Sequence, residues 1–235
     1  MSTTSNSKSK NGNTLWDKTD FVFLKPDAKY VTPVDKAWTF AVSDDKYLLA
    51  NDSTGVVAKL AKVSDILSSK DYTLRYMPSE PNDAFKAMTT INTGKPYKFN
   101  YQGFLPWKNF DREKIILNVA MEQPLQNGYR IGLAGHTKFL ELKPTSRAIH
   151  ATKVHTLLGV NTNSAIGLFI CYSENGATKL AKDIDYKAIG NLTFYFRIID
   201  IINSEKEHIK VINLANENYE EELNNWLTPS TTPSE

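Results

Sequence analysis

Three of the four histidines fall within twenty residues of one another: His136, His150 and His155. Imidazoles can ligate zinc or act as general bases, but a zinc site needs a fourth donor with suitable geometry. Cys171 and Glu141 are the nearby candidates, and they match no established metal spacing. No acid or nucleophile is paired in sequence with a histidine for general-base catalysis. We therefore expect surface or nucleic-acid-contacting histidines, and we predict no metal, no cofactor and no catalytic residue.

The short motifs of common enzyme classes are also absent. The chain has no GxSxG elbow, Walker loop, GxGxxG, HExxH or CxxC. Gly128, Gly132 and Gly135 lie close together, but Asn-Gly ahead of an apolar run predicts a turn into a strand. A phosphate cradle needs glycines that open a helix. Cys171, inside an apolar run, is expected to be a small core residue rather than a nucleophile. The sequence therefore predicts a protein that is not an enzyme.

The charge pattern carries the functional prediction. Residues 136–156 contain Lys138, Lys143, Arg147 and Lys153 against Glu141 alone, whereas residues 216–235 contain five glutamates and no lysine or arginine. One hypothesis is that the four cations bind the phosphates of single-stranded RNA or DNA, while the acidic end engages a basic partner or competes for the basic surface. The alternative is a solvated basic face and a solubilising acidic tail.

Composition limits the class of protein. The chain has 235 residues, of which 41% are hydrophobic and 11% aromatic, a net charge of +2 and a mean hydropathy of −0.39. These values are typical of a soluble globular protein and exclude a disordered, membrane-spanning or histone-like chain. A single cysteine forms no internal disulfide, and the N-terminus lacks the apolar core of a secretory signal. We expect an intracellular protein.

A single β-rich domain is predicted over residues 14–227. Residues 1–13 and 228–235 are polar and lack large apolar side chains, so they are expected to be disordered tails. Alternation of apolar and polar residues predicts strands at 72–76 and 97–101, and apolar runs predict buried strands at 115–121 and 165–172. The longest β-rich run, 191–202, is expected to pair as a hairpin with 208–214.

Helices are predicted in three places. Apolar residues recur with helical spacing over 56–67 and over 219–227, and Asp83 can cap a short helix over 84–88. Strands interrupted by single helices, without regular βαβ alternation, favour a mainly β (α+β) fold. We therefore expect an antiparallel β-sandwich or jelly-roll-like core with a few short helices.

The order of these elements resembles that of the "30K" superfamily of plant-virus movement proteins. An aromatic strand (97–104) precedes an apolar strand (115–121), a strand ending in Phe169-Ile170-Cys171-Tyr172, a polar stretch with an aspartate (183–186) and a long strand (192–201). Two positions depart from the family pattern. The family's aspartate is missing, with Glu122 or no residue in its place, and Tyr172 is followed by Ser173 rather than by proline.

The resemblance implies a β-sandwich, cooperative binding of single-stranded nucleic acid or viral nucleoprotein, and its transport through plasmodesmata at the periphery of a host cell. It also implies self-association and peripheral contacts with membranes or host proteins, without catalysis. The alternative is a viral matrix or coat protein, which would be equally β-rich and cysteine-poor. Particle formation by the purified protein would favour a coat protein, and elongated nucleoprotein without shells would favour movement.

Overall fold

A computed structural model describes residues 32–48, 54–78, 100–111, 118–181, 185–204 and 209–228. Their strands form one six-stranded sheet in the order β4-β3-β2-β1-β5-β6. Every pair of neighbouring strands is parallel. The predicted antiparallel β-sandwich is therefore wrong. The strands are β1 (Thr32–Val42), β2 (Thr73–Tyr76), β3 (Tyr101–Phe104), β4 (Val119–Met121), β5 (Ser164–Tyr172) and β6 (Lys210–Asn213).

Helices cover both faces of this sheet, which gives a three-layer α/β architecture. One apolar core lies between the sheet and helices α1 and α6, and a second lies between the sheet and helices α2 to α5. Within the described ranges, two short 3-10 helices span Asp45–Leu48 and Phe139–Glu141. The α-helices are α1 (Val56–Ser68), α2 (Gln126–Gly135), α3 (Pro144–Leu158), α4 (Tyr186–Ile189), α5 (Leu192–Ile202) and α6 (Tyr219–Leu227).

Strand β5 shows why the sheet needs helices on both sides. Leu168 and Ile170 point into the first core, while Phe169 and Cys171 point into the second, and all four are at most 1% exposed. A strand buried on both faces is typical of a parallel sheet rather than of a sandwich with one solvated face. The prediction of a buried strand here is confirmed, as is the burial of Cys171.

The run 191–202 is the largest error of the sequence prediction, because it forms helix α5 instead of a strand. Its least buried polar side chains, Thr193, Arg197 and Asp200, are separated by four and three residues, which is the spacing of one helix face. The β-branched and aromatic residues between them pack into the second core. Strand β6 consequently has no hairpin partner in this run and pairs in parallel with β5.

The glycine-rich segment is the second error, because residues 126–135 form helix α2 rather than a strand. A side chain at Gly128 would overlap the ring of His155 on α3, and one at Gly132 would come within 2.8 Å of the Phe139 ring. These glycines therefore serve close packing between helices.

Of the remaining predictions, some are confirmed and others concern residues outside the described ranges. The helices over 56–67 and 219–227 and the strand over 72–76 are confirmed. The carboxyl-terminal parts of the strands predicted at 97–104 and 115–121 form β3 and β4. The helix predicted at 84–88, residues 1–13 and almost all of 228–235 lie outside the described residues. No helix in the described part of the chain is long and apolar enough to cross a membrane.

Candidate ligand-binding site

The order of the strands reverses at β1. The chain adds β2, β3 and β4 on one side of β1, and then returns to place β5 and β6 on its other side. In open α/β sheets, ligands bind outside the carboxyl ends of the strands near such a reversal. A cavity of about 500 Å³ lies there, at the ends of β1 and β2. This volume is within the range of small-molecule sites.

The other half of the same edge, at the ends of β5 and β6, is closed by hydrogen bonds within the chain. The buried Asn213 donates through Nδ2 to Ser173 Oγ at 2.9 Å and to the Ala177 carbonyl at 2.8 Å. Its Oδ1 accepts from the Ala215 amide at 2.9 Å. Because these groups satisfy one another, they are already committed and do not call for a ligand.

Aromatic rings form the apolar wall of the cavity. The rings of Phe40 and Tyr76 stack at 5.7 Å with an interplanar angle of 22°. Phe110 lines the cavity after β3 and makes an edge contact at 4.6 Å with Trp107, whose side chain is partly exposed. Phe40 and Tyr76 belong to the core under α1, whereas the polar wall comes from α3 and α5. The cavity is therefore lined by both aromatic and polar side chains.

Lys153, on α3, supplies the positive charge of the cavity. Its Nζ lies 5.4 Å from the centroid of the Tyr195 ring. Among the described residues, no hydrogen bond or ion pair to this Nζ is formed. Burial lowers the pKa of Lys153, and the negative charge of Asp45 opposes that shift. An ammonium group in such surroundings is stabilised by an added anion.

Asp45 is the acidic side chain of the cavity and stands three residues beyond the end of β1. Desolvation raises its pKa, and the charge of Lys153 acts in the opposite direction. Asn191 donates through Nδ2 to Asp45 Oδ1 at 3.4 Å, and the Asn191 amide donates to the Ser43 carbonyl at 3.1 Å. The loop before α5 thus holds the carboxylate at the cavity, where it can accept hydrogen bonds from ligand hydroxyl groups.

Two hydroxyl groups, those of Tyr195 and Thr156, lie on the polar wall. Thr156 Oγ1 donates to the Lys153 carbonyl at 2.8 Å, which commits its proton to the backbone. Burial raises the pKa of Tyr195, so its hydroxyl stays protonated. The wall therefore presents a phenol rather than a phenolate to a ligand.

His150 lines the cavity one turn before Lys153 on α3. Its Nδ1 donates to the Ser146 carbonyl at 2.8 Å, and its ring lies 5.1 Å from that of His136 and 4.8 Å from that of Phe194. Burial lowers the pKa of His150 to about 4, and the charge of Lys153 adds to this effect. The imidazole is therefore neutral near pH 7.

The loop after β1 differs from that of a dinucleotide site. A pyrophosphate site uses a glycine-rich turn whose amides open a helix. Here β1 is followed by Ser43, Asp44 and Asp45, two of which repel phosphate. Because Lys153, the cavity's counter-charge, lies on α3 rather than in this turn, the arrangement suits a ligand with one anionic group rather than a pyrophosphate.

The four predicted phosphate-binding cations do not share one surface. Lys138 and Lys143 are exposed, and Arg147 lies one turn after Lys143 near the start of α3. Lys153 follows Arg147 by six residues, which places it about 240° further around the helix, and it lines the cavity instead. The structure thus brings Lys143 and Arg147 together and separates Lys153 from them.

The histidines are less exposed than predicted. His155 is fully buried, with Nδ1 donating to the Gly159 carbonyl at 3.0 Å and Nε2 accepting from the Leu125 amide at 3.1 Å. Its assignment to the surface is wrong, because the ring joins the beginning of α2 to the end of α3. His136 and His150 are partly buried. Within the described ranges, no three His, Cys, Asp or Glu side chains are grouped as metal ligands.

The acidic end is partly neutralised within the chain. Glu220 forms an ion pair with Lys62 at 2.6 Å, and Glu222 forms one with Lys210 at 3.8 Å. These pairs attach α6 to α1 and β6. They leave Glu217 and Glu221 exposed for the predicted contact with a basic partner, which stays a prediction.

The sequence prediction missed Asp45, Tyr76, Asn191 and Tyr195 as site residues. Asp45 had a usable signal, because it closely follows the apolar run 37–42, and polar residues after a buried strand lie at the carboxyl edge of a sheet. Tyr195 has no such signal, because the residues around it favour a strand.

No protein-family model, curated protein or solved structure matches this chain.

Proposed function

We propose that the protein binds a nucleoside monophosphate, or a ligand of the same size and chemistry, in the cavity at the carboxyl ends of β1 and β2. The observation that carries the proposal is Lys153, an ammonium group without an ion-pair partner among the described residues, in a cavity where the strand order reverses. Other doubly wound sheets bind nucleotides where the strand order reverses, and the proposal of a nucleotide follows this analogy.

Each part of such a ligand has a counterpart in the cavity. The phosphate pairs with Lys153, which gains a charge-assisted hydrogen bond. The base packs against the stacked rings of Phe40 and Tyr76, and the ribose hydroxyls donate to Asp45. Aromatic packing is worth about 1 kcal/mol beyond the area it buries. The function is binding without turnover, so we expect the ligand to be recovered unchanged.

Isothermal titration calorimetry with AMP, GMP, CMP and UMP tests the proposal. Adenosine and inorganic phosphate are titrated separately, because each represents one part of the ligand. We expect at least one monophosphate to bind more tightly than either part. Lys153→Gln should weaken that binding by about 10- to 100-fold, because a hydrogen bond to a charged group contributes about 1.5–3 kcal/mol.

Lys143→Gln is the matched control, since it removes an exposed lysine from the start of the same helix. Its affinity should equal that of the wild type. Absence of binding by all four nucleotides, or an equal loss in the two variants, would refute the proposal. Recovery of a hydrolysed ligand would refute binding without turnover.

Binding of single-stranded nucleic acid is a second candidate, favoured by the exposed Lys143 and the half-buried Arg147 on neighbouring turns at the start of α3. It needs only a surface of cations, so it does not depend on a β-sandwich. The movement and coat hypotheses stay predictions. The core that the family resemblance implies is absent from the described sheet, so neither hypothesis gains support from the fold.

A further inference from the structure

The two histidine rings beside the cavity have different hydrogen-bonding roles. His150 Nδ1 faces a carbonyl oxygen and must carry a proton, whereas His136 Nδ1 accepts from the Lys138 amide at 3.1 Å and must lack one. The neutral His150 therefore has its free lone pair on Nε2, and the neutral His136 carries its proton there. The described residues make no hydrogen bond to His150 Nε2.

His150 can accept a proton without breaking an existing contact. The proton would enter at Nε2 and leave the bond from Nδ1 to Ser146 in place. His155 cannot do this, because both of its ring nitrogens are bonded to the backbone and a proton on Nε2 would expel the Leu125 amide. Of the two histidines on α3, His150 is the one that can change charge within the intact fold.

The charges around His150 determine when it accepts that proton. Lys153 lies on the same helix and lines the same cavity, and Arg197 on α5 acts on the neighbouring His136. Lys153, and His136 when it is protonated, oppose a positive charge on His150 while the cavity is empty. Asp45 is the anion of the cavity, and its charge acts on Lys153. A bound phosphate would reverse the sign of the field at this wall.

We propose that the cavity takes up a proton together with its anionic ligand, and that His150 receives this proton at Nε2. The inference rests on the proposed function, because it requires an anion at Lys153. Since proton and anion each favour the binding of the other, affinity rises as the pH falls, by at most about tenfold per pH unit for one proton. Uncharged ligands of the same shape show no such dependence.

Calorimetry in two buffers of different ionisation enthalpy measures the protons taken up on binding. The probe is adenosine 5′-sulfate, which keeps one charge between pH 5.5 and 7.5, with adenosine as the uncharged control. We expect fractional proton uptake at pH 6 with the sulfate and none with adenosine. His150→Asn retains a donor near the Ser146 carbonyl and should abolish the uptake, whereas His136→Asn retains an acceptor for the Lys138 amide and should preserve it.

The outcomes separate this inference from the proposed function. Binding of the sulfate without proton uptake, or uptake that survives in His150→Asn, overturns the inference and leaves nucleotide binding intact. Failure of the sulfate and of all four monophosphates to bind overturns the two together. If AMP alone binds, the same buffers measure the difference in uptake between wild type and His150→Asn, and a zero difference overturns the inference.

Discussion

Replacing Gly128 with alanine should destabilise the fold, although alanine is the better helix former. A Cβ at this position would lie 2.7 Å from His155 Cδ2 and 2.9 Å from the Ala151 carbonyl oxygen. The ring cannot turn away easily, because the Gly159 carbonyl holds Nδ1 and the Leu125 amide holds Nε2. The added methyl group therefore both overpacks the contact between α2 and α3 and displaces the ring from its hydrogen bond with the Leu125 amide.

The opposing energies can be compared. Alanine gains about 1 kcal/mol over glycine in a helix interior. Overpacking a close helix contact costs about 1–3 kcal/mol, and losing the bond between Leu125 and His155 costs about 1 kcal/mol or more. The net expectation is a loss of about 2 kcal/mol, which corresponds to a fall of about 4–8 °C in melting temperature for a protein of this size.

Urea unfolding and thermal melting of Gly128→Ala measure this difference. The control is Ala134→Gly, at an exposed position in the last turn of the same helix, which should lose at most about 1 kcal/mol through helix propensity alone. An increase in the stability of Gly128→Ala would show that the gain in helix propensity exceeds the cost of the close contact. This result would refute the close packing of α2 on α3.

Three further predictions concern pH, salt and the last helix. Because the folded protein holds the pKa of His150 near 4 and the unfolded chain has an ordinary value of about 6.5, the unfolded chain binds the proton first. Stability should fall as the pH drops from about 6.5 towards 4, by at most about 1.4 kcal/mol per pH unit from this group, and less steeply in His150→Asn when measured by urea unfolding. In anisotropy titrations of single-stranded RNA, replacing Lys143 and Arg147 with alanine should reduce the salt slope by about 0.7 per lost phosphate contact; an equal reduction in Lys153→Ala would contradict the placement of that lysine. Leu223→Ala should lower the free energy of unfolding by about 2–4 kcal/mol, because this side chain of α6 is fully buried in the first core. An unchanged melting temperature would contradict that burial.

Local sequence patterns predict secondary structure correctly in segments that have one clear apolar face or that are buried throughout. The spacing of Val56, Leu60, Val63 and Leu67 placed α1, and the apolar run 165–172 placed β5. Both segments have strong periodicity or complete burial, so their neighbours hardly change the preferred structure.

Local patterns failed where propensity and periodicity disagree. Helix α5 is rich in phenylalanine and isoleucine, which favour strands, yet its outward residues Thr193, Arg197 and Asp200 follow the helical period. The misassignment removed one of the helices that cover the second face and left an apparently antiparallel β protein. Recognising the period would have restored the alternation of strand and helix that indicates a parallel sheet.

The candidate site depended on contacts that a linear sequence does not contain. Lys153 was selected for its charge, but its place in a cavity depends on how α3 packs between β1 and α5. Asp45 and Tyr195 are 150 residues apart and reach the same cavity only through the order of the sheet. The sequence identifies residues with reactive or charged side chains, whereas the order of the strands in the sheet is needed to know which of them lie together.

A crystal structure of the protein with AMP tests the central claim most directly. We predict that AMP occupies the cavity at the ends of β1 and β2, with a phosphate oxygen within about 3 Å of Lys153 Nζ and the adenine against the rings of Phe40 and Tyr76. AMP bound at the ends of β5 and β6, or on the outer surface with the cavity empty, would contradict the account.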